Sequence, residues 1–305
     1  MSLSAHAKTP GLGARDALLA LAVVAVWGTN FVVIRLALGS LPPLLFAALR
    51  FTLAALPGVF LIKRPKVPWR DLAAYGLLIG AGQFGVLYVA MKGHISPGLA
   101  SLVVQSQVFF TIGLSMWRAG ERLGSFQWAA LALALAGFAV IILHAQGATT
   151  PLGVGLVLVA GACWAGGNMV SRRQPSANML AYVIWASLFS APPLYLLSFI
   201  FEGLPAIKAG LAGASLGTWA AVAWQSAGNT IFGYAVWGWL LARHPAATVT
   251  PMALLVPVFG IAASALLLAE PLPVWKITAA ALVLSGLALN VFWPMLRART
   301  VAVAA

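Results

Sequence analysis

The chain has 305 residues, 62% of them hydrophobic and only 8% charged. Soluble domains run near 45–50% apolar and about 25% charged, so an ordinary soluble domain is excluded. The 18 Lys and Arg against 5 Asp and Glu leave a formal charge of +13, which in a soluble protein would point to a nucleic-acid partner.

Ten apolar runs follow one another, at about 16–36, 41–62, 71–91, 97–117, 125–143, 152–171, 179–201, 216–241, 246–268 and 274–295. A membrane-spanning helix takes roughly 20 mostly apolar residues at about 1.5 Å rise each, and every run is close to that length. The first run is too long for a secretory signal, is interrupted by Trp27-Gly28-Thr29-Asn30, and has no small-residue cleavage site after it. The links are short and hold most of the Lys, Arg, Gly and Pro. Residues 1–15 and 296–305 are expected as terminal tails.

Polar residues inside these runs are the candidates for chemistry. Arg50 stands in the second run, near mid-bilayer, where an arginine costs about 2.5–3.5 kcal/mol on insertion scales. It either receives the carboxylate of an amino-acid-like substrate or ties helices together through carbonyls and Gln or Asn side chains. Pro57 would kink or weaken the same helix, and Gly76 and Gly80 make a close-packing GxxxG face on the third. On the fourth, Ser101 and Gln105 are four apart and are predicted to share a face, with Gln107 pointing elsewhere.

Glu121 falls where the fourth helix ends. Cys163, the lone cysteine, excludes an intramolecular disulfide and a Cys-cluster metal site. Pro192 and Pro193 interrupt the seventh helix. The eighth carries Gln225 and Asn229 on one predicted face, with Tyr234 and Trp237 further along. Such neutral amides, like Asn30 and Asn168, either line a cavity or serve as interhelical bonds worth about 0.6 kcal/mol each. The aromatic rings suit cavity walls or plain packing. Pro251 and Pro257 lie in the ninth helix. Glu270, at its end, parallels Glu121, and both are read chiefly as caps of helix N-termini with proton coupling or gating as the alternative.

Placing the basic residues explains the charge. With a cytoplasmic amino terminus, 13 of them fall on inside segments and 4 (Arg35, Lys92, Lys208 and Lys276) on outside ones, leaving Arg50 within a helix. The positive-inside rule therefore predicts that both termini are cytoplasmic. No nucleic-acid partner is needed.

The chain also repeats itself. A shift of 149 positions places Phe110, Ile112, Ser115, Glu121 and Leu123 on Phe259, Ile261, Ser264, Glu270 and Leu272, and Gly137 on Gly286. Trp27 to Asn30 echoes Trp164 to Asn168. Five helices per unit is an odd number, so the second unit (152–295) must be inverted relative to the first (16–143). Inverted repeats with a midplane site mark secondary transporters.

These residues resemble the EamA-type drug/metabolite transporter superfamily: the GERL element at 120–123, its echo AEPL at 269–272, WGTNFVVIR and PPLLFAALRF. SLVVQSQVFFTI (101–112) and ALLVPVFGIAASALLLAE (253–270) are similar to the bacterial branch that exports O-acetylserine and cysteine. The resemblance implies an all-α inner-membrane protein of ten transmembrane helices around a central cavity, opened alternately to either side. Arg50 would meet the substrate carboxylate, and Gln105, Gln225 and Asn229 its other polar groups.

An enzyme is not expected. His6, His94, His144 and His244 are scattered, and none pairs in sequence with an acid at ligand spacing. No phosphate-binding loop is present, and no cofactor or metal is called for. The alternatives that remain are an exporter of other amino acids, aromatic compounds or toxic analogues, and a membrane scaffold or assembly factor without a transport cycle.

Overall fold

The computed structural model describes residues 12–119 and 124–304, and they are built from helices joined by short links. The long helices are α1 (Ala14–Ala37), α2 (Pro43–Leu61), α3 (Trp69–Met91), α4 (Pro97–Arg118), α5 (Ser125–Leu143), α6 (Pro151–Ser171), α7 (Met179–Phe201), α8 (216–243), α9 (Thr250–Leu268) and α10 (Val274–Ala304). Among the described residues, nine of these are long and apolar enough to cross a membrane. The exception is α8, whose centre carries Gln225, Ser226, Asn229 and Thr230.

Local chemistry sets the helix starts. Pro43, Pro97 and Pro151 occupy first-turn positions, where a missing N–H costs nothing. Thr150, Asn178 and Ser215 accept the backbone N–H three residues on and so cap α6, α7 and α8. Two features differ from the sequence expectation. The link after α7 contains a short helix, Gly203–Gly213, and α10 runs on through the expected tail to Ala304.

Four long helices are not uniform, α9 among them because it opens with a 3₁₀ stretch at Thr250–Leu254. The middle of α3 (Leu77–Gly85) and of α8 (Gln225–Phe232) is π-helical, and α4 contains a 3₁₀ turn at Val104–Ser106. The two π segments start 148 positions apart, and Phe84-Gly85 in one answers Phe232-Gly233 in the other. That spacing nearly equals the sequence repeat. Pro57, Pro192 and Pro193, by contrast, lie within continuous α-helix.

In lipid the bundle is held by close packing rather than by a hydrophobic difference between core and surroundings. Gly137 and Gly286, the pair matched by the repeat, both lie at the antiparallel α5–α10 crossing. A Cβ on Gly137 would stand 2.6 Å from Val283 and 2.9 Å from the Ala279 carbonyl, and one on Gly286 would stand 2.5 Å from the Ala130 carbonyl. Gly76 and Gly80 bring α3 against Ala186 and Ser190 of α7, and Gly28 and Gly260 bring α1 against α9. Large apolar side chains such as Phe60, Trp117, Leu216 and Leu266 point outward, as a lipid-facing surface requires.

The links gather at two ends. At one, Arg173 pairs with Asp71 at 3.1 Å and His244 Nε2 meets Asp16 Oδ2 at 2.7 Å. At the other, Lys92 donates to the Leu38 carbonyl, Thr150 to that of His94, and Glu202 accepts the Leu44 and Leu45 N–H groups at 2.6 and 3.1 Å. The first end carries the links rich in Lys and Arg and is called the basic end below.

Candidate functional site

Arg50 is the eighth residue of the 19-residue helix α2, and only 1% of its surface is exposed. Nη1 donates to Tyr88 Oη and Nη2 to Thr230 Oγ1, each at 2.9 Å. The Phe84 ring centroid lies 4.0 Å from the guanidinium carbon, a cation–π distance. Tyr88 donates onward to Gln225 Oε1 at 3.1 Å, and Gln225 exchanges two hydrogen bonds with Asn30, at 2.7 and 3.3 Å. Arg50, Tyr88, Thr230, Gln225 and Asn30 thus form one buried network drawn from α1, α2, α3 and α8.

The network contains no acid. Asp16 is engaged by His244, Asp71 by Arg173, Glu202 by backbone amides and Glu270 by Lys276. Arg50 Nε is buried with no hydrogen-bond partner among the described residues. A guanidinium offers five N–H donors, and an unmade bond in the interior costs about 1–3 kcal/mol. The site is therefore a fixed positive charge, partly satisfied by hydroxyls and a ring.

The π segment of α8 decides which side chains reach it. In an i→i+5 helix, residues five apart stack, and Thr230 Oγ1 donates to the Gln225 carbonyl at 2.9 Å. Thr230 rather than Asn229 therefore joins Gln225 at Arg50, which corrects the i,i+4 face read from sequence. The Asn229 carbonyl instead accepts Trp27 Nε1 at 3.1 Å. Trp27 packs on Trp237 and Tyr234, with ring centroids 5.2 and 5.8 Å apart, and the Tyr234 hydroxyl faces Tyr75.

On α4, a 3₁₀ turn spans Val104–Ser106. Ser101 and Gln105 are both buried, and Gln107, expected to point elsewhere, accepts from Asn168 at 3.0 Å. Thr111 shares this α4–α6 pair. Asn30 and Asn168, matched in sequence, thus work in separate clusters. The side chains of Gln83, Gln105 and Asn229 are buried but make no hydrogen bond among the described residues, and their polar atoms keep slivers of accessible surface. Tyr88, Thr230 and Phe84 were missed by the sequence reading. The signal available was the glycine-spaced stretch from Gly80 to Gly85 and its counterpart from Gly228 to Gly233.

Glu270 caps an amide, but of a distant helix. It accepts Gly98 N–H at 3.1 Å and the Ser96 hydroxyl at the start of α4, and it also holds Ser264 and, at 2.8 Å, Lys276. Burial alone would raise its carboxyl, but the hydrogen bonds from Lys276, Ser264 and Ser96 outweigh this and hold it below the ordinary value. Glu121 lies outside the described residues. The histidines are not all isolated either, since folding brings His244 to Asp16 across 228 positions.

Two segments of the chain, 15–143 and 151–292, each match the EamA-like transporter family. Proteins of Salmonella typhimurium and Escherichia coli, both called "Probable amino-acid metabolite efflux pump", are 41% identical over 285 residues, 91% of this chain and 95% of their own. A Streptantibioticus cattleyicolor protein called "Probable terminal-alkyne amino-acid exporter" is 28% identical, over 87% of this chain and 90% of its own. A solved crystal structure matches with a TM-score of 0.63 at 20% identity, over 92% of this chain and 97% of that one, which shows a shared fold.

Proposed function

The chain belongs to the EamA-like transporter family, and from that premise we propose that it exports small amino-acid-like metabolites, O-acetylserine and cysteine first among them, by alternating access. It is a multi-pass membrane transporter and not an enzyme. The reading places it in a bacterial inner membrane with ten crossings, two inverted five-helix repeats and both termini in the cytoplasm. The 148-residue spacing of the π segments and the reciprocal Gly137–Gly286 crossing support that arrangement.

One observation carries the substrate class: a buried guanidinium with an unbonded Nε and no carboxylate beside it among the described residues. A carboxylate is the group whose geometry and charge complete it. Arg50 would receive the substrate carboxylate, with Tyr88 and Thr230 releasing the guanidinium as it turns. Gln225, Asn30 and Asn229 would address the amino and side-chain polar groups, and Trp27, Tyr234 and Trp237 would wall the path. Gln105, Gln107 and Asn168 would be met before or after that contact.

A second substrate range has its own support. The relatives named as exporters include one for a terminal-alkyne amino acid, and Arg50 reads only the carboxylate that all amino acids share. Counterflow in liposomes of labelled O-acetylserine, cysteine and a panel of other amino acids tests both. Counterflow of other amino acids alone would replace the substrate, and none at all would favour a scaffold.

A further inference from the structure

At the basic end, the link after α2 meets the link before α7 around a cavity of about 430 Å³, within the usual size range of ligand sites. Its walls include Lys63 and Lys66 from one side and Gln174, Ser176 and Asn178 from the other, with no acid among them. The two lysines differ from Arg173 and Arg64. Arg173 is paired with Asp71, and Arg64 lies over the Trp69 ring and donates to the Val67 carbonyl. Lys63 and Lys66 have no hydrogen-bond or ion-pair partner among the described residues. Asn178 uses its Oδ1 to cap α7 through Ala181 N–H, which leaves its amide N–H₂ free to donate. The cavity thus presents two exposed, unpaired lysine ammonium groups and a free amide donor, flanked by the Gln174 and Ser176 side chains, which can also donate, and by no carboxylate.

We propose that this cavity binds a phosphate group, and that its source is the headgroup of an anionic phospholipid. Basic pockets between transmembrane helices suit such headgroups. The flank favours a lipid over a free phosphate. Phe60 and Leu61, immediately before the cavity, are 83% and 82% exposed at the end of a membrane-spanning helix, where acyl chains would lie. Trp69 and Trp185 stand beside it in edge contact, and Trp185 Nε1 donates to the Ile62 carbonyl, the amphipathic placement that belongs at headgroup level. Because one wall comes from each half of the chain, a bound headgroup bridges the two halves. This site is independent of the substrate reading.

Thermal unfolding of the purified protein in detergent tests the assignment, with phosphatidylglycerol, phosphatidylcholine or inorganic phosphate added. Phosphatidylglycerol should raise Tm by on the order of 2 °C over phosphatidylcholine. Lys63→Gln/Lys66→Gln should abolish that difference while leaving Tm in phosphatidylcholine unchanged. Arg15→Gln/Arg118→Gln removes two charges elsewhere at the same end and should keep it. Equal loss in both double variants, or no loss in the lysine pair, would overturn the site. An equal rise with inorganic phosphate, lost in the lysine pair, would support the site and overturn the lipid as its source.

Discussion

Arg50 and Thr230 lie 180 residues apart in sequence, yet Nη2 of one donates to Oγ1 of the other at 2.9 Å. The bond exists because α8 changes from α to π geometry at Gln225, which brings the residue five places on to the face that a regular helix would give to the residue four places on.

The first prediction concerns the charge itself. Arg50→Ala should lower counterflow of an amino-acid substrate tenfold or more, and Arg50→Lys should recover little, because an ammonium cannot make the paired contact. Circular dichroism should show both variants folded. Normal transport by both would remove Arg50 from the site.

The π register makes a sharper claim. Thr230→Val keeps the shape and removes the hydroxyl, so one Arg50 donor loses its partner, at a cost on the order of 1–3 kcal/mol. Substrate concentration dependence should change more for Thr230→Val than for Asn229→Ala. The reverse ranking would mean that α8 presents a regular α-helical face in the working protein.

Glu270 should act as a tie between α4 and the α9–α10 link. Glu270→Ala leaves the Lys276 ammonium buried without its partner, so it should destabilise the protein by on the order of 3 kcal/mol. Glu270→Gln/Lys276→Met should cost less than Glu270→Ala, as read from Tm in detergent. The carboxyl is held below its ordinary value of 4.5. Its stabilisation is therefore full above that pH and is lost as pH falls through the lower folded value. The acid side of a Tm-against-pH curve should be flatter in Glu270→Gln than in the wild type.

Helix crossings give a test of packing. Gly137→Leu and Gly286→Leu must push apart α5 and α10 and should each cost about 1–3 kcal/mol. Gly113→Ala and Gly155→Ala, where a Cβ meets nothing within 4 Å, should leave Tm nearly unchanged.

Much of the fold could be read without coordinates, and the residues show why. Nine of the ten expected apolar runs are helices long and apolar enough to cross a membrane among the described residues. These, and the isolation of Arg50, follow from composition along the chain, which local hydrophobicity encodes directly. The site was legible only in part. Arg50, Gln225 and Asn30 were named as candidates and do meet, but Tyr88, Thr230 and Phe84 were not. Asn168 found Gln107, in a different cluster from Asn30.

By itself the sequence determined that this is an apolar helical protein, that its cations mark one set of links, and that one arginine has no place in that scheme. Those properties depend on each segment's own exchange between water and lipid. Only the tertiary structure decided who stands beside Arg50. The π and 3₁₀ turns beside Thr230 and Gln107 are deviations packed against neighbouring helices, at close approaches such as Gly233 to Trp27 and Gly161 to Ser106, and no residue-by-residue periodicity contains them.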